Sequence, residues 1–134
     1  MTNSHSLESA TPGADLVGRK VLGVDPSTGE VRLAFLARPE FANRHRTVSG
    51  GFLAAMLDSV MAAPILASLP DDLTVVTTDL RVHYEKPAQL GELFGCGRIS
   101  SRDGREVHSE GEITNPAGDV VARATATFRL VHPR

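Results

Sequence analysis

The stretch VSGGFLAAMLDSVMAAPILASLP, Val48 to Pro70, decides the reading of this chain. From Gly50 to Leu69 nearly every residue is apolar or small, yet Asp58 sits in the middle. An ionised acid in an apolar setting is costly unless it is paired, hydrated or used. The length matches a membrane span of about 20 residues. Its Gly and Ala content, the central Asp58, Pro64 and the lack of aromatic anchors instead predict the central helix of a soluble protein. Ser49 is placed to cap that helix, with Gly50 in its first turn. Pro64 removes one backbone bond and predicts a kink, and the helix is expected to run to about Leu69.

On either side of the helix the pattern is that of strands. KVLGVDPSTGEVRLAFLA reads as a hairpin, in which Val21–Val24, the turn residues DPSTG and the alternating Val31, Leu33 and Phe35 follow one another. Four more strand-like runs come after the helix: LTVVTTDLRVHYEKP, GELFGCGRISSRDG, REVHSEGEITNPAG and DVVARATATFRLV. In the last, Val120, Ala122, Ala124, Ala126, Phe128 and Leu130 alternate with Arg123, Thr125, Thr127 and Arg129, so one face is buried and the other wetter. Two strands, a long apolar helix and four hairpin-linked strands predict an α+β fold in which one antiparallel sheet wraps one helix. A helix apolar on nearly all sides needs more cover than one small sheet provides, which predicts a partner copy.

Composition narrows the function. The chain has 134 residues, 41% hydrophobic and 22% charged, with a formal net charge of −2, which fits one globular domain. No basic stripe marks a nucleic-acid footprint, and five Phe, one Tyr and no Trp offer few stacking platforms. Cys96 is the only cysteine, in keeping with a reducing cytoplasm. Residues 1–15 read as a flexible tail without signal-peptide pattern. The five His show no metal-ligand spacing, so neither metal nor cofactor is expected.

Asn43, SGGFLAAMLD (49–58) and TTDLRVHYEKPAQLGE (77–92) together resemble the acyl-CoA thioesterases of the hotdog fold, in particular the phenylacetic-acid-degradation, 4-hydroxybenzoyl-CoA thioesterase-like branch. That family usually shows an Asn, a His-Gly-Gly at the helix start, an Asp or Glu seven positions after the second Gly, and a strand ending in aromatic-x-x-Pro-Ala-x-x-Gly. Here these are Asn43, Gly50, Gly51, Asp58, Tyr84, Pro87, Ala88 and Gly91, and Ser49 stands where the family usually has His. The resemblance covers roughly Leu16 to Val131 and implies a single hotdog domain over 16–134. It implies Asp58 as general base or nucleophile, the Gly50 N–H as oxyanion donor, and Asn43 as the residue orienting thioester or water. Thr77 on the third strand would assist the water, with Thr78 as its rival: strict alternation puts Thr77 on the face of Asp79, Arg81 and His83, and Thr78 with Val76, Leu80 and Val82. Ser49, Gly51, Arg102 and Arg105 are the expected substrate-binding residues, the two arginines as cations for the phosphates of coenzyme A.

Spacing adds one constraint. Asp58 lies eight residues beyond Gly50, roughly 12 Å along a helix axis. One carbonyl cannot touch both within a single chain, so a site using both spans two copies of a dimer or tetramer. The expected partners are thus an acyl-CoA substrate and further copies of the chain, with no nucleic acid and no membrane. The competing readings are a non-catalytic acyl-CoA-binding hotdog protein and an enoyl-type hydratase or dehydratase, which would want a His beside the helix.

Overall fold

A computed structural model describes residues 11–133. The element order is α1 (Pro12–Leu16), β1 (Lys20–Val24), β2 (Val31–Ala37), a single 3-10 turn (Pro39–Phe41), α2 (Gly50–Leu66), β3 (Thr74–Tyr84), β4 (Gly91–Asp103), β5 (Glu106–Thr114) and β6 (Val120–Val131). Residues 1–10 of the expected tail lie outside the described residues. Within 11–16 the chain is helical: Pro12 stands in the first turn, and the Thr11 hydroxyl accepts from the Ala14 N–H at 3.2 Å.

The six strands form one antiparallel sheet in the order β1-β2-β4-β5-β6-β3. Its concave face carries Val31, Leu33 and Phe35 from β2, Leu93 from β4, Val107 and Ile113 from β5, and the even-numbered residues Ala122 to Leu130 of β6, all buried. The alternation expected for β6 is the one observed. Against this face lies α2, which buries Leu53, Met56, Leu57, Val60, Met61, Ala63, Pro64 and Ile65. The helix ends at Leu66 with Ala67 as its cap, three residues earlier than the sequence pattern predicts. The segment 50–68 is long and apolar enough to cross a membrane, but here it is the helix around which the sheet wraps.

Three glycines set how closely sheet and helix approach. Gly95, Gly97 and Gly111 all meet Val60: a Cβ on Gly95 or Gly111 would run into its side chain, and one on Gly97 into its carbonyl. That carbonyl is the acceptor that a residue with an N–H at position 64 would have served, and Pro64 has none. One residue on, the buried Ser109 hydroxyl sits 2.9 Å from the Met61 carbonyl and 2.9 Å from the Arg98 carbonyl, tying the same helical turn to β4 and β5. The helix is therefore seated in a trough that only glycine makes deep enough.

The cover is incomplete on one side. Gly51 and Ala55 are exposed and Asp58, Ser59 and Ala62 half-buried, a stripe at helical spacing that the sheet does not reach. Beside it β3, eleven residues long and paired only with β6, presents a free edge. Val76, Leu80 and Tyr84 on that strand are 46%, 37% and 49% exposed. Long apolar edge strands are usually covered by something.

The trough makes a direct prediction. Gly97→Ala should destabilise the protein by about 2 kcal/mol, as overpacking does. Gly23→Ala, where an added Cβ meets nothing within 4 Å, should change stability by less than about 0.5 kcal/mol. Chemical denaturation of the two variants beside the wild type measures both, and equal midpoints would contradict the packing described.

Candidate active site

Asp58 emerges from the uncovered stripe of α2 toward β3, and its carboxylate accepts a hydrogen bond from the Thr77 hydroxyl at 2.7 Å. Strict alternation along β3 predicts otherwise, and a β-bulge is the reason. The β3–β6 register runs Val75 to Leu130 and Thr77 to Phe128, then slips, and resumes with Asp79 opposite Thr127 and Leu80 opposite Ala126. Thr78 is the extra residue, its hydroxyl donating to the Thr127 carbonyl at 3.1 Å. A bulge reverses the parity of everything beyond it. Thr77 thus shares the helix-facing side with Val75, Leu80, Val82 and Tyr84, not with Asp79, Arg81 and His83.

At the far end of β3, the Tyr84 hydroxyl donates to the Gly50 carbonyl at 2.6 Å. A Cβ on Gly50 would stand 3.1 Å from the Tyr84 ring and hydroxyl, so glycine is what lets the tyrosine hold the first turn of the helix. Ser49 occupies the cap position but its side chain makes no capping bond; its backbone N–H instead donates to the Phe41 carbonyl at 2.8 Å. The N–H groups of Gly50 and Gly51 find no acceptor among the described residues, as expected for the first amides of a helix.

Asn43 organises the connector before the helix. Its side-chain oxygen accepts from the backbone N–H of His45 (2.9 Å) and Thr47 (3.2 Å), and its amide nitrogen donates to the Thr47 hydroxyl at 3.0 Å. Arg46 closes the loop in the left-handed region, with φ 64°. Val48 N–H donates to the Ala88 carbonyl at 2.9 Å, joining this loop to the segment after β3. Asn43, His45, Gly50, Tyr84, Lys86 and Ala88 line an open cleft of about 490 Å³. Asp58 lies in a different cleft of about 270 Å³, between α2 and the N-terminal segment.

The expected residues therefore fall into three groups. Asp58 meets Thr77; Asn43 shares a cleft with Gly50; Arg102 and Arg105 join neither pair. The two arginines flank the β4–β5 turn, bonded to the carbonyls of Gly104 (3.1 Å) and Leu130 (3.5 Å). The sheet register sets that turn at the Thr74 end of β3, opposite the Tyr84 end where Gly50 lies. His45 and Tyr84 also line the cleft, and neither is among the expected site residues, although Tyr84 is the aromatic of the family pattern. A tyrosine at a strand end facing a helix start, with an apolar body and a polar tip, was the available signal for the second.

Charge near the cleft is balanced. Lys86 pairs with Asp119 at 3.1 Å, a hydrogen bond that holds the Asp119 carboxyl below the usual range. A depression of about 250 Å³ on the convex face of the sheet is lined by Arg81, Arg98, Arg123, Glu110 and Glu112 and contains none of the expected site residues. Among the described residues, no three His, Cys, Asp or Glu side chains are placed to hold a metal ion.

One six-stranded antiparallel sheet wrapped around a single helix that begins at Gly-Gly is the hotdog fold, and the chain belongs to the thioesterase superfamily, whose family model matches residues 45–122. Among solved structures it is similar to a phenylacetic acid degradation-related protein from Ralstonia eutropha JMP134, at 34% identity and TM-score 0.87, covering 94% of this chain and 97% of that one. A Bacillus halodurans protein solved with CoA is 27% identical with TM-score 0.83, over 95% and 83% of the two chains. The Escherichia coli PaaI protein of the phenylacetic acid degradation operon shares the fold at TM-score 0.84 with 18% identity, over 96% and 91%. Comparison with curated protein sequences finds no match.

Cys96 supplies the titration test. Burial first, then a hydrogen bond and Coulombic repulsion from Glu30, push its thiol up to about 12. The thiol stays protonated at neutral and mildly alkaline pH, and only the thiolate attacks. At pH 8 iodoacetamide should alkylate Cys96 at least tenfold more slowly in the folded protein than in the denatured chain; equal rates would contradict the environment described.

Proposed function

We propose that this protein hydrolyses acyl-CoA thioesters, with Asp58 of one copy and Gly50 of another facing the same thioester carbonyl. Membership of the thioesterase superfamily and the Bacillus relative solved with CoA support the substrate class. The observation that carries the mechanism is the 2.7 Å bond from Thr77 to the Asp58 carboxylate on the uncovered side of α2.

In this reading the Gly50 N–H, at the positive end of the helix dipole, receives the developing oxyanion. Asp58 takes a proton from a water that adds to the carbonyl carbon. Collapse of the tetrahedral intermediate breaks the C–S bond, and the coenzyme A thiolate takes up the proton, leaving free acid and thiol. Asp58 acting as the nucleophile itself, through an anhydride that water then opens, is the variant of the same scheme. Thr77 holds one carboxylate oxygen and so orients the other. Asn43 shapes the loop that walls the oxyanion side, because its amide is engaged by His45 and Thr47. Ser49 and Gly51 flank the same helix start, where small side chains leave room for the thioester. Arg102 and Arg105 are left for the phosphates of a coenzyme A bound to a neighbouring copy.

The separate clefts of Gly50 and Asp58, with the free β3 edge between them, support a composite site. Two β3 edges paired antiparallel about a dyad near mid-strand would carry Tyr84 of one copy toward Thr77 of the other. Such a pairing would also cover Val76 and Leu80 and the bare stripe of α2. With its core helix enclosed in this way, the protein would work in the cytoplasm as a dimer or a dimer of dimers.

Thiol release from a panel of acyl-CoAs (phenylacetyl, hydroxybenzoyl, short, medium and long chain) tests the reading. Asp58→Asn should abolish turnover while CoA still binds, and Thr77→Ala should lower kcat about tenfold with little change in KM. Inactive Asp58→Asn and inactive Gly50→Val, refolded together, should regain activity that neither has alone, since one mixed site is wholly wild type. Wild-type binding without turnover on any thioester would leave the non-catalytic binding protein. Turnover untouched by Asp58→Asn would overturn the assignment.

A further inference from the structure

We infer that the N-terminal segment around α1 is the wall that limits the size of the acyl group, an inference that rests on the assignment of Asp58 to the thioester site. Gly13, Ala14 and Val17 face Ala55, Asp58 and Ser59 across the cleft of about 270 Å³. Asp58 is its one carboxylate, and most of the remaining lining is small or apolar. A carbonyl held at Asp58 therefore has, on the α1 side, a short space for whatever it carries, with Thr11 and Arg19 as its other polar lining.

The segment is fixed rather than draped. Val17 is buried, 5% exposed, in the main core, and its carbonyl accepts from the Leu36 N–H on β2 at 2.9 Å. Gly18 follows at φ 63°, where a Cβ would stand 2.9 Å from that of Leu36, so the chain turns tightly against β2. Arg19 N–H closes back onto the Ala14 carbonyl at 2.9 Å. A wall anchored at one end in the core and capped at the other by Thr11 has a defined position relative to α2.

Size follows from the volume. A cavity of about 150 Å³ holds a benzene molecule, so this cleft takes an acyl group of roughly ten heavy atoms. Gly13 lines the cleft without a side chain. A Cβ there meets nothing within 4 Å and the residue has no positive φ, so a larger side chain at this lining position is accommodated without straining the fold.

The test reads binding, separately from turnover. S-ethyl-CoA and S-octyl-CoA, thioethers that cannot be hydrolysed, are titrated calorimetrically into wild type, Gly13→Leu, Ala14→Leu and Asp15→Leu. Asp15 lies on the same helix outside the cleft. The expected result is an octyl-to-ethyl affinity ratio at least tenfold lower in Gly13→Leu and Ala14→Leu than in wild type, and unchanged in Asp15→Leu, with all four proteins folded by circular dichroism. A ratio unmoved in both filled variants, or moved equally in Asp15→Leu, overturns the wall. Loss of the Asp58 assignment shows up elsewhere, as thioester turnover that survives Asp58→Asn.

Discussion

The contact on which the rest of this structure depends is that between Val60 and three glycines. A helix this apolar could rest on a sheet in many registers, because dispersion and hydrophobic burial are not directional. Gly95, Gly97 and Gly111 remove that freedom by opening one trough, and the turn of α2 that fills it is the one whose ladder Pro64 interrupts. Proline inside an isolated helix costs about 3 kcal/mol; here the orphaned Val60 carbonyl lies against Gly97, and Ser109 holds the carbonyl of its neighbour Met61. With Val60 fixed, helical geometry leaves no choice about Asp58: two residues earlier, it must emerge on the side of β3.

On that side the sheet meets the helix through a bulge. Without Thr78 as an extra residue, β3 could not present both Thr77 to Asp58 and Tyr84 to Gly50, since the two are seven positions apart and an odd spacing puts them on opposite faces of a regular strand. With it, one strand grips the helix at two points, a carboxylate in its middle and a carbonyl at its start. The same bulge leaves Leu80 and Val82 on the helix side and turns Asp79 and Arg81 outward. Both contacts of β3 with α2 are consequences of a single inserted residue.

The sequence made the element order plain, because turn residues and period-two alternation are local signals that tertiary contacts seldom override. It also singled out Asp58, Gly50 and Thr77 as candidates, the first by the cost of a carboxylate in an apolar helix and the other two by family resemblance. What it did not convey is non-local. A bulge needs a partner strand to be defined, so alternation alone placed Thr77 on the wrong face. Ser49 looks like a capping serine, yet the cap residue's backbone is used by Phe41 and its hydroxyl makes no capping bond. The helix at 12–16 is too short for any periodicity, and its place beside Asp58 depends on Val17 reaching the core.

Asp58 is then tolerated for a reason that combines both levels. It is half-buried rather than enclosed, and among the described residues its hydrogen-bond partner is the neutral Thr77 hydroxyl, with Arg19 lining the same cleft. A structural acid would be expected to face a cation, as Glu85 faces Arg123 and Glu110 faces Arg98 elsewhere in this protein. The N–H groups of Gly50 and Gly51, which find no acceptor among the described residues, are the donors that complement this carboxylate in the proposed site. The helix axis holds donors and carboxylate roughly 12 Å apart, too far for one substrate carbonyl to meet both in a single chain. The proposed assembly, in which each copy lends one half to the other, would resolve that separation and cover the β3 edge in the same step, so that the bare edge would be a part of the chemistry.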